Sequence, residues 1–367
     1  MAEDPIDKVV SAEAWTEFCD QLKKAGDVLL REDLAASPFE RGEGLRYLGR
    51  LLRAGLVSFS EHTGPRHPAF RPMPEMVKMG LDNPDNYYVS ASVNARHSYR
   101  IRGRRGSIHY LSFAAQNQNF AARDRIAGGA GHLNDSELRL DRDGRFEILA
   151  SQKQPAEPCD WLRMVPDTSQ ILVRQTYLDR ASERPAELEI ECLDADGPPA
   201  PLDPARVPGQ LLGSALYAIG CAQWFADWVV DFRKHAPANQ FHLPDEEQHR
   251  LVGGDPNIRI WLGLWELGPD EALVIEATPP RCDYWNFQLG NIWAESLDYR
   301  FRRVHLNSHT AALEDDGSFR LVVAHADPGV SNWIDTAGHE RGTMCVRWVR
   351  ADSHPEPRCR VVKSAEL

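Results

Sequence analysis

A chain of 367 residues, 42% hydrophobic and 26% charged, is long enough for more than one buried core, and two units are expected. Its net charge of −12 speaks against nucleic acid and anionic membrane as partners, because both call for basic surface. The acidic start Met-Ala-Glu-Asp-Pro-Ile-Asp lacks the apolar core of a secretory signal, no apolar run approaches the ~20 residues that span a bilayer, and seven scattered Cys without a Cys-x-x-Cys spacing read as reduced thiols, so a cytoplasmic protein is expected.

Residues from about 11 to 62 read as helical. Trp15, Phe18 and Leu22 suggest a buried stripe. Ser37-Pro38-Phe39-Glu40 is a capping box with Pro at the first helical position, and Leu45, Leu48, Leu52 and Leu56 continue one apolar face. Thr63–Pro74, with His62 and His67 near it, reads as a surface loop. Residues 1–75 are thus a helical N-terminal segment and loop. From about 87 the period becomes two, with strands expected at Tyr87–Val93, Ser98–Gly103, Ser107–Ala115, Glu137–Leu140, Arg145–Ala150, Ile171–Tyr177 and Ala186–Cys192. Asp141-Arg142-Asp143-Gly144 is a hairpin signal, and Gly128-Gly129-Ala130-Gly131, lacking the Lys-Ser/Thr of a phosphate loop, reads as a flexible loop near a pocket.

Pro-rich Asp194–Pro208 is the linker candidate, followed by a long helix over Gln210–Lys234 with Leu212, Leu216, Ile219, Gln223 and Ala226 on one line. Strands resume at Arg259–Trp265, Ala272–Glu276, Tyr284–Leu289, Phe319–His325 and Thr343–Val349. No internal repeat stands out. The expected fold is mainly β with added helices: two β-sandwich or jelly-roll-like units, over 76–200 and 201–367, with the long helix between them.

The chemistry concentrates in Pro280–Trp348, which holds four of the ten Trp and four of the thirteen His. Apolar strands do not need that mixture, whereas a pocket with an apolar wall and convergent polar groups does. A Rossmann glycine motif, a Gly-x-Ser-x-Gly elbow and a His-Glu-x-x-His helix are all absent, which leaves acid–base chemistry by side chains. The candidates are His305 and His339 as base, Tyr284 as acid or oxygen donor, Arg302 as anion stabiliser and Asp335, with Asp298 and Glu295 as further carboxylates. Asn291, Asn307 and Gln288 are suited to orient substrate oxygens, and Trp285, Trp293 and Trp333 to line an aromatic or sugar ring. No cofactor is expected. The alternative is a divalent metal at His305, His309, His325 and Asp327.

Tyr284-Trp285-x-Phe287-Gln288-Leu289-x-Asn291-x-Trp293-x-Glu295-Ser296-Leu297-Asp298-Tyr299 resembles the signature of a bacterial family catalogued as domain of unknown function 1214. So do Arg302, His305-Leu306-Asn307, Asp327-Pro328-Gly329, Asn332 to His339 and Arg347-Trp348, with Asn83-Pro84-Asp85-Asn86-x-Tyr88 and Tyr99-Arg100-Ile101-x-Gly103 upstream. The resemblance implies a sandwich or jelly roll with added helices and a homo-oligomer, and names no reaction. The functional expectation is a cofactor-independent enzyme, a lyase before a hydrolase, acting on a small ring-containing, hydroxylated or carboxylated molecule. The alternative is a non-catalytic carbohydrate-binding or structural sandwich, which solvent-facing Trp would favour.

Overall fold

The computed structural model describes residues 4–61, 64–72, 77–117, 120, 131–247 and 254–367. Its N-terminal helices are α1 (Pro5–Val10), α2 (Glu13–Ala25) and α3 (Pro38–Ser60). The capping box forms as the sequence suggests: Ser37 Oγ accepts from Glu40 N at 3.1 Å and Glu40 Oε2 accepts from Ser37 N at 2.9 Å. The buried face of α3 differs from the expected leucine line. It runs through Gly44, Tyr47, Leu51 and Gly55, while Leu45 is 64% exposed. The reason is close approach. A Cβ at Gly44 would lie 2.5 Å from the Trp293 ring, and one at Gly55 would lie 2.5 Å from Ser214 O on the long helix. Trp15 is likewise exposed, and Phe18 carries the burial of α2.

The first sandwich contains β1 (Arg71–Pro72), β2 (Asn86–Ser92), β3 (Tyr99–Arg104), β4 (Tyr110–Gln116), β5 (Gly131–Asn134), β6 (Arg145–Ser151), β7 (Asp160–Arg163), β8 (Gln170–Thr176) and β9 (Glu187–Cys192). They form sheets ordered β1-β2-β8-β4-β5 and β7-β6-β3-β9. Alternate residues such as Val89, Ile101, Phe113, Ile148 and Val173 meet between the sheets. Glu137–Leu140 is not a strand. The Asp141 turn forms, with Asp141 Oδ1 accepting from Asp143 N and Arg145 N at 2.8 Å each, but β6 pairs with β3 and β7. His62 and Gly128–Ala130 lie outside the described residues, and Gly131 opens β5.

The linker leads into α4 (Val207–His235). Its buried side is Tyr217, Ala218, Cys221, Ala222, Phe225, Ala226, Val229 and Phe232; Ala226 of the expected line and the aromatic residues Phe225 and Phe232 beside it are buried, while Leu212 at the head of the line is 39% exposed. These residues share a core with Tyr47 and Leu51 of α3 and with Leu262 and Cys345. No helix among the described residues is long and apolar enough to cross a membrane.

The second sandwich contains β10 (Gln240–His242), β11 (Ile258–Glu266), β12 (Glu271–Ala277), β13 (Tyr284–Gly290), β14 (His305–Asn307), β15 (Phe319–Ala324), β16 (Trp333–Asp335), β17 (Arg341–Val349) and β18 (Arg358–Lys363). Its sheets are ordered β10-β11-β17-β13-β14 and β16-β15-β12-β18. This is the order of the first sandwich element for element, down to a parallel pair in each, β6 with β7 and β15 with β16. The registers agree as well. Thr176 faces Asn86 and Tyr110 in the first unit, and Val349 faces Ile258 and Tyr284 in the second. The chain is therefore an internal duplication, contrary to the expectation of no repeat. Corresponding strands share few residues, which hides it: Tyr-Leu-Ser-Phe-Ala-Ala-Gln in β4 against Tyr-Trp-Asn-Phe-Gln-Leu-Gly in β13.

Candidate functional site

Each sandwich sends an Asx-Pro-Asx turn across to the other. Asn83-Pro84-Asp85 opens β2, with Asn83 Oδ1 accepting from Asp85 N at 3.0 Å and Asn83 O from Asn86 N at 2.9 Å. Asp255-Pro256-Asn257 opens β11 with the same two bonds, Asp255 Oδ1 from Asn257 N at 2.9 Å and Asp255 O from Ile258 N at 3.0 Å. Short polar side chains that bond their own backbone favour such turns, and Pro in the middle presets the chain direction.

The first turn builds the site around Asp85. The Tyr284 hydroxyl donates to Asp85 Oδ2 at 2.6 Å, and His305 Nε2 lies 3.1 Å from Asp85 Oδ1. Asn83 Nδ2 donates to the Tyr284 hydroxyl at 3.3 Å, and Asn286 Nδ2 donates to Asn83 Oδ1 at 2.8 Å. Asp85 is 4% exposed. Burial pushes its carboxyl up, but hydrogen bonds from His305, Tyr284 and Asn307 outweigh this and hold it below the usual carboxylate range. The phenol of Tyr284 is pushed well above its ordinary value by burial and by the charge of Asp85, so it stays a donor. Against an ionised Asp85, the proton of His305 sits on Nε2. Its Nδ1 is buried and has no hydrogen-bond partner. Next to this group, the buried guanidinium of Arg347 donates to Gln288 Oε1, Asn286 Oδ1 and Leu81 O. Gln288 Nε2 in turn donates to Asp82 O at 3.0 Å.

The second turn builds a counterpart. Tyr110 donates to Asp255 Oδ2 at 2.9 Å, and His132 Nε2 lies 3.0 Å from Asp255 Oδ1. Register makes Tyr110 the equivalent of Tyr284, His132 of His305 and Asn134 of Asn307. Burial raises the Asp255 carboxyl, and His132 and Arg174 overcome this and hold it far below its ordinary value. A cavity of about 120 Å³ lies between the two turns, with Asn83 and Arg347 on its wall from one side and Asp255 and Arg174 from the other.

The structure thus joins Tyr284, His305 and Asn307, with Gln288 beside them, and sets the other candidates elsewhere. Arg302 pairs with Asp335 at 2.8 Å and its side chain is half exposed. His339 lies 3.0 Å from Glu43 on α3 and contacts Thr336 O at 3.0 Å. Asn291 Nδ2 donates to Glu295 Oε2 at 2.9 Å, and Glu295 is buried against Arg50. Asp298 pairs with Arg300.

The three tryptophans expected to line a pocket serve packing instead. Trp285 stacks on Phe319 at 4.5 Å inside the second sandwich, Trp293 is fully buried with Nε1 donating to Glu40 O, and Trp333 donates to Ala324 O. A sandwich core needs such rings as much as a ligand does. The alternative metal ligands do not meet either. His325 contacts Thr336 Oγ1 and Gly268 O, Asp327 caps Gly329 N, and His309 is exposed. Among the described residues, the ligand-type side chains that do cluster are His97, Cys192 and Asp194.

Asn83, Asp85 and Arg347 entered from the sequence only through the family resemblance, without a role in a site, and the whole second group was not singled out; all join the candidate site here. The signal for them was the second occurrence of Asx-Pro-Asx ahead of a strand, at 83–85 and 255–257.

A family model described as "Protein of unknown function (DUF1214)" matches residues 89–178, within the first sandwich, and 271–352, within the second. The chain is similar to an uncharacterised protein of Burkholderia cenocepacia known from a crystal structure, with 43% identity over 99% of this chain and 100% of that one and a TM-score of 0.93. A Vibrio parahaemolyticus protein of known structure matches 92% of this chain and 100% of its own at 14% identity, with a TM-score of 0.49. No curated protein matches.

Proposed function

We propose that this chain, which belongs to the family described as protein of unknown function (DUF1214), is an acid–base enzyme for a small molecule, with His305 as the base. The observation that carries the reading is the state of His305: one ring nitrogen is oriented by buried Asp85, and the other is buried with no partner. A carboxylate on one nitrogen fixes the tautomer and stabilises the imidazolium that forms when the other nitrogen takes a proton. Tyr284 acts differently from the acid expected of it. Its proton is already committed to Asp85, so it holds that carboxylate in place. No organic cofactor is required, since the step is a proton transfer at Nδ1. A lyase removing a proton next to a carboxylate fits best, with a hydrolase, in which the base activates water, as the variant of the same chemistry.

Burial of Trp285 and Trp293 in packing removes the ring-stacking support for an aromatic or sugar substrate. It also weighs against a carbohydrate-binding module, because Trp15 is the only one of the ten tryptophans that is exposed.

The test is consumption of a panel of small hydroxy- and oxo-carboxylic acids, followed by mass spectrometry for the native chain and for His305→Gln. A general base contributes about 10²–10⁴ in rate, so the variant should lose at least about a hundredfold. Equal consumption by a folded His305→Gln protein would overturn the assignment.

A further inference from the structure

The cavity between the two sandwiches is lined from both sides by residues at equivalent positions of the repeat, Arg174 and Arg347, Asn83 and Asp255, Tyr88 and Ile260. Arg174 stands across from Tyr88 on β2 and Ser112 on β4, and Arg347 stands across from Ile260 on β11 and Asn286 on β13. The two arginines are therefore one position of the repeat, used twice. Their surroundings are not equivalent. Asp255, whose charge acts on Arg174, corresponds to the neutral Asn83 in the other repeat.

Arg347 is 5% exposed, and the acceptors of its guanidinium are the amide oxygens of Gln288 and Asn286 and the backbone carbonyl of Leu81. None of these carries charge. Asp82, whose charge reaches Arg347, is itself engaged by Ser296 N and Ser296 Oγ. A buried cation without a carboxylate against it is costly, and it favours any anion that can reach it. The planar fork of Arg matches a carboxylate well. Tyr88 adds a donor: its hydroxyl accepts Asn83 N–H at 3.0 Å and keeps its own proton to give. The remaining wall, with Trp228, Ile258, Ile260 and Leu262, is apolar.

We propose that this cavity binds a small organic monocarboxylate, with the carboxylate on Arg347 and Tyr88 and a short apolar or single-ring body against Ile258, Ile260, Leu262 and Trp228. The size agrees. The cavity measures about 120 Å³, and one of roughly 150 Å³ is known to hold benzene. An inorganic anion would leave the apolar wall unused. The inference names a substrate class for the proposed enzyme; binding itself stands independently of that reading, and only turnover of the bound carboxylate rests on it.

Isothermal titration of the full chain with benzoate and hexanoate tests it, with benzamide and inorganic phosphate as comparison ligands. Saturable binding of a carboxylate is expected, at least about tenfold weaker for benzamide and phosphate. Arg347→Gln should weaken carboxylate binding by about tenfold or more. Because that variant removes a buried hydrogen-bonded group, Ile260→Trp, which fills the cavity from its edge, serves as a second probe and should abolish binding while circular dichroism stays native. His305→Gln should bind as the native chain does. Failure of both carboxylates to bind overturns the inference, as does equal binding of benzamide or phosphate, or native affinity in folded Ile260→Trp. Carboxylate binding that is lost in Ile260→Trp and kept in His305→Gln supports it, whether or not His305 proves to be a base.

Discussion

Asp255 stands where Asn83 stands in the other repeat, and this exchange places the carboxylate differently in the two related sites. In the second repeat the carboxylate is the first residue of the turn, where it holds Tyr110 and His132 and acts on Arg174. In the first repeat the carboxylate has moved to the third residue, Asp85, where it holds Tyr284 and His305. Asn257, the counterpart of Asp85, reaches His132 Nδ1 with its side-chain amide at 3.5 Å, while the corresponding nitrogen of His305 has no such partner. Duplication has therefore left one histidine contacted on both nitrogens and one contacted on a single nitrogen.

Asp85→Asn should destabilise the protein and do so in a pH-dependent way. The substitution removes the charge that Tyr284 and His305 face, in a buried setting where an ill-matched donor costs about 1–3 kcal/mol. The folded-state pKa of Asp85 is depressed, so its contribution is present above the unfolded carboxyl value near ~3.9 and is lost as pH falls through the lower folded value. Urea unfolding at pH 7 should separate native and variant chains by that amount. The gap should close in strong acid. A gap that persists unchanged at low pH would contradict the role of an ionised Asp85.

The longer strands of both sandwiches were legible because their signals are local: Trp285, Phe287 and Leu289 alternate with Asn286 and Gln288 in β13, and β8 carries the short apolar run Ile171-Leu172-Val173. The three-residue strands β10, β14 and β16 were not, since three residues do not establish a period. Tyr284, His305 and Asn307 could be named as candidates because they lie together in one stretch. Asp85 stood in the family motif without a role, because its partner Tyr284 is 199 positions away and only the crossing of the two repeats joins them. Trp285 and Trp293 misled for a physical reason. The density of large rings that marks a binding pocket is also what fills the space between sheets and helices, and hydrophobicity alone does not separate the two.

His339 is expected to be a fastening for α3 and to show it in stability. Burial lowers the pKa of its imidazole, but Glu43, with help from the Thr336 and Ala337 backbone, outweighs this and raises it. A raised histidine pKa stabilises the fold fully below the unfolded value near ~6.5, and the gain is lost as pH rises through the folded value. His339→Gln should therefore cost about 1–2 kcal/mol near pH 6 and less toward pH 9, as read by thermal unfolding across that range. A constant difference across the range would mean that packing against Phe39, not charge, is what His339 supplies.

Two glycines of α3 should respond in opposite directions to the same change. Nothing lies within 4 Å of a Cβ at Gly49, so Gly49→Ala gains helix propensity and should stabilise by up to about 1 kcal/mol. At Gly44 the added methyl would meet Trp293 and Leu29 at 2.5 Å, and Trp293 is fully buried and tied to Glu40 O. Overpacking of about 1–3 kcal/mol then exceeds the propensity gain, and Gly44→Ala should destabilise in denaturant titration. Equal responses at the two positions would show that α3 shifts freely over the second sandwich.

Arg302 and Asp335, expected from the sequence to act on an anion and on a proton, should instead divide into a weak surface pair and a turn. Arg302 is half exposed, and a pair of that kind is worth about 0–1 kcal/mol, so Arg302→Gln should unfold at nearly the native denaturant midpoint. Asp335 has a second task. Its Oδ1 accepts from Ala337 N at 2.7 Å, and Ala337 has a φ of 54°, a left-handed conformation that a non-glycine residue holds only with support. Asp335→Asn keeps that acceptor and loses the charge, so it should match Arg302→Gln. Asp335→Ala loses both and should cost about 1 kcal/mol more. If Asn and Ala were equally destabilising, the ion pair and not the turn would be what the position provides.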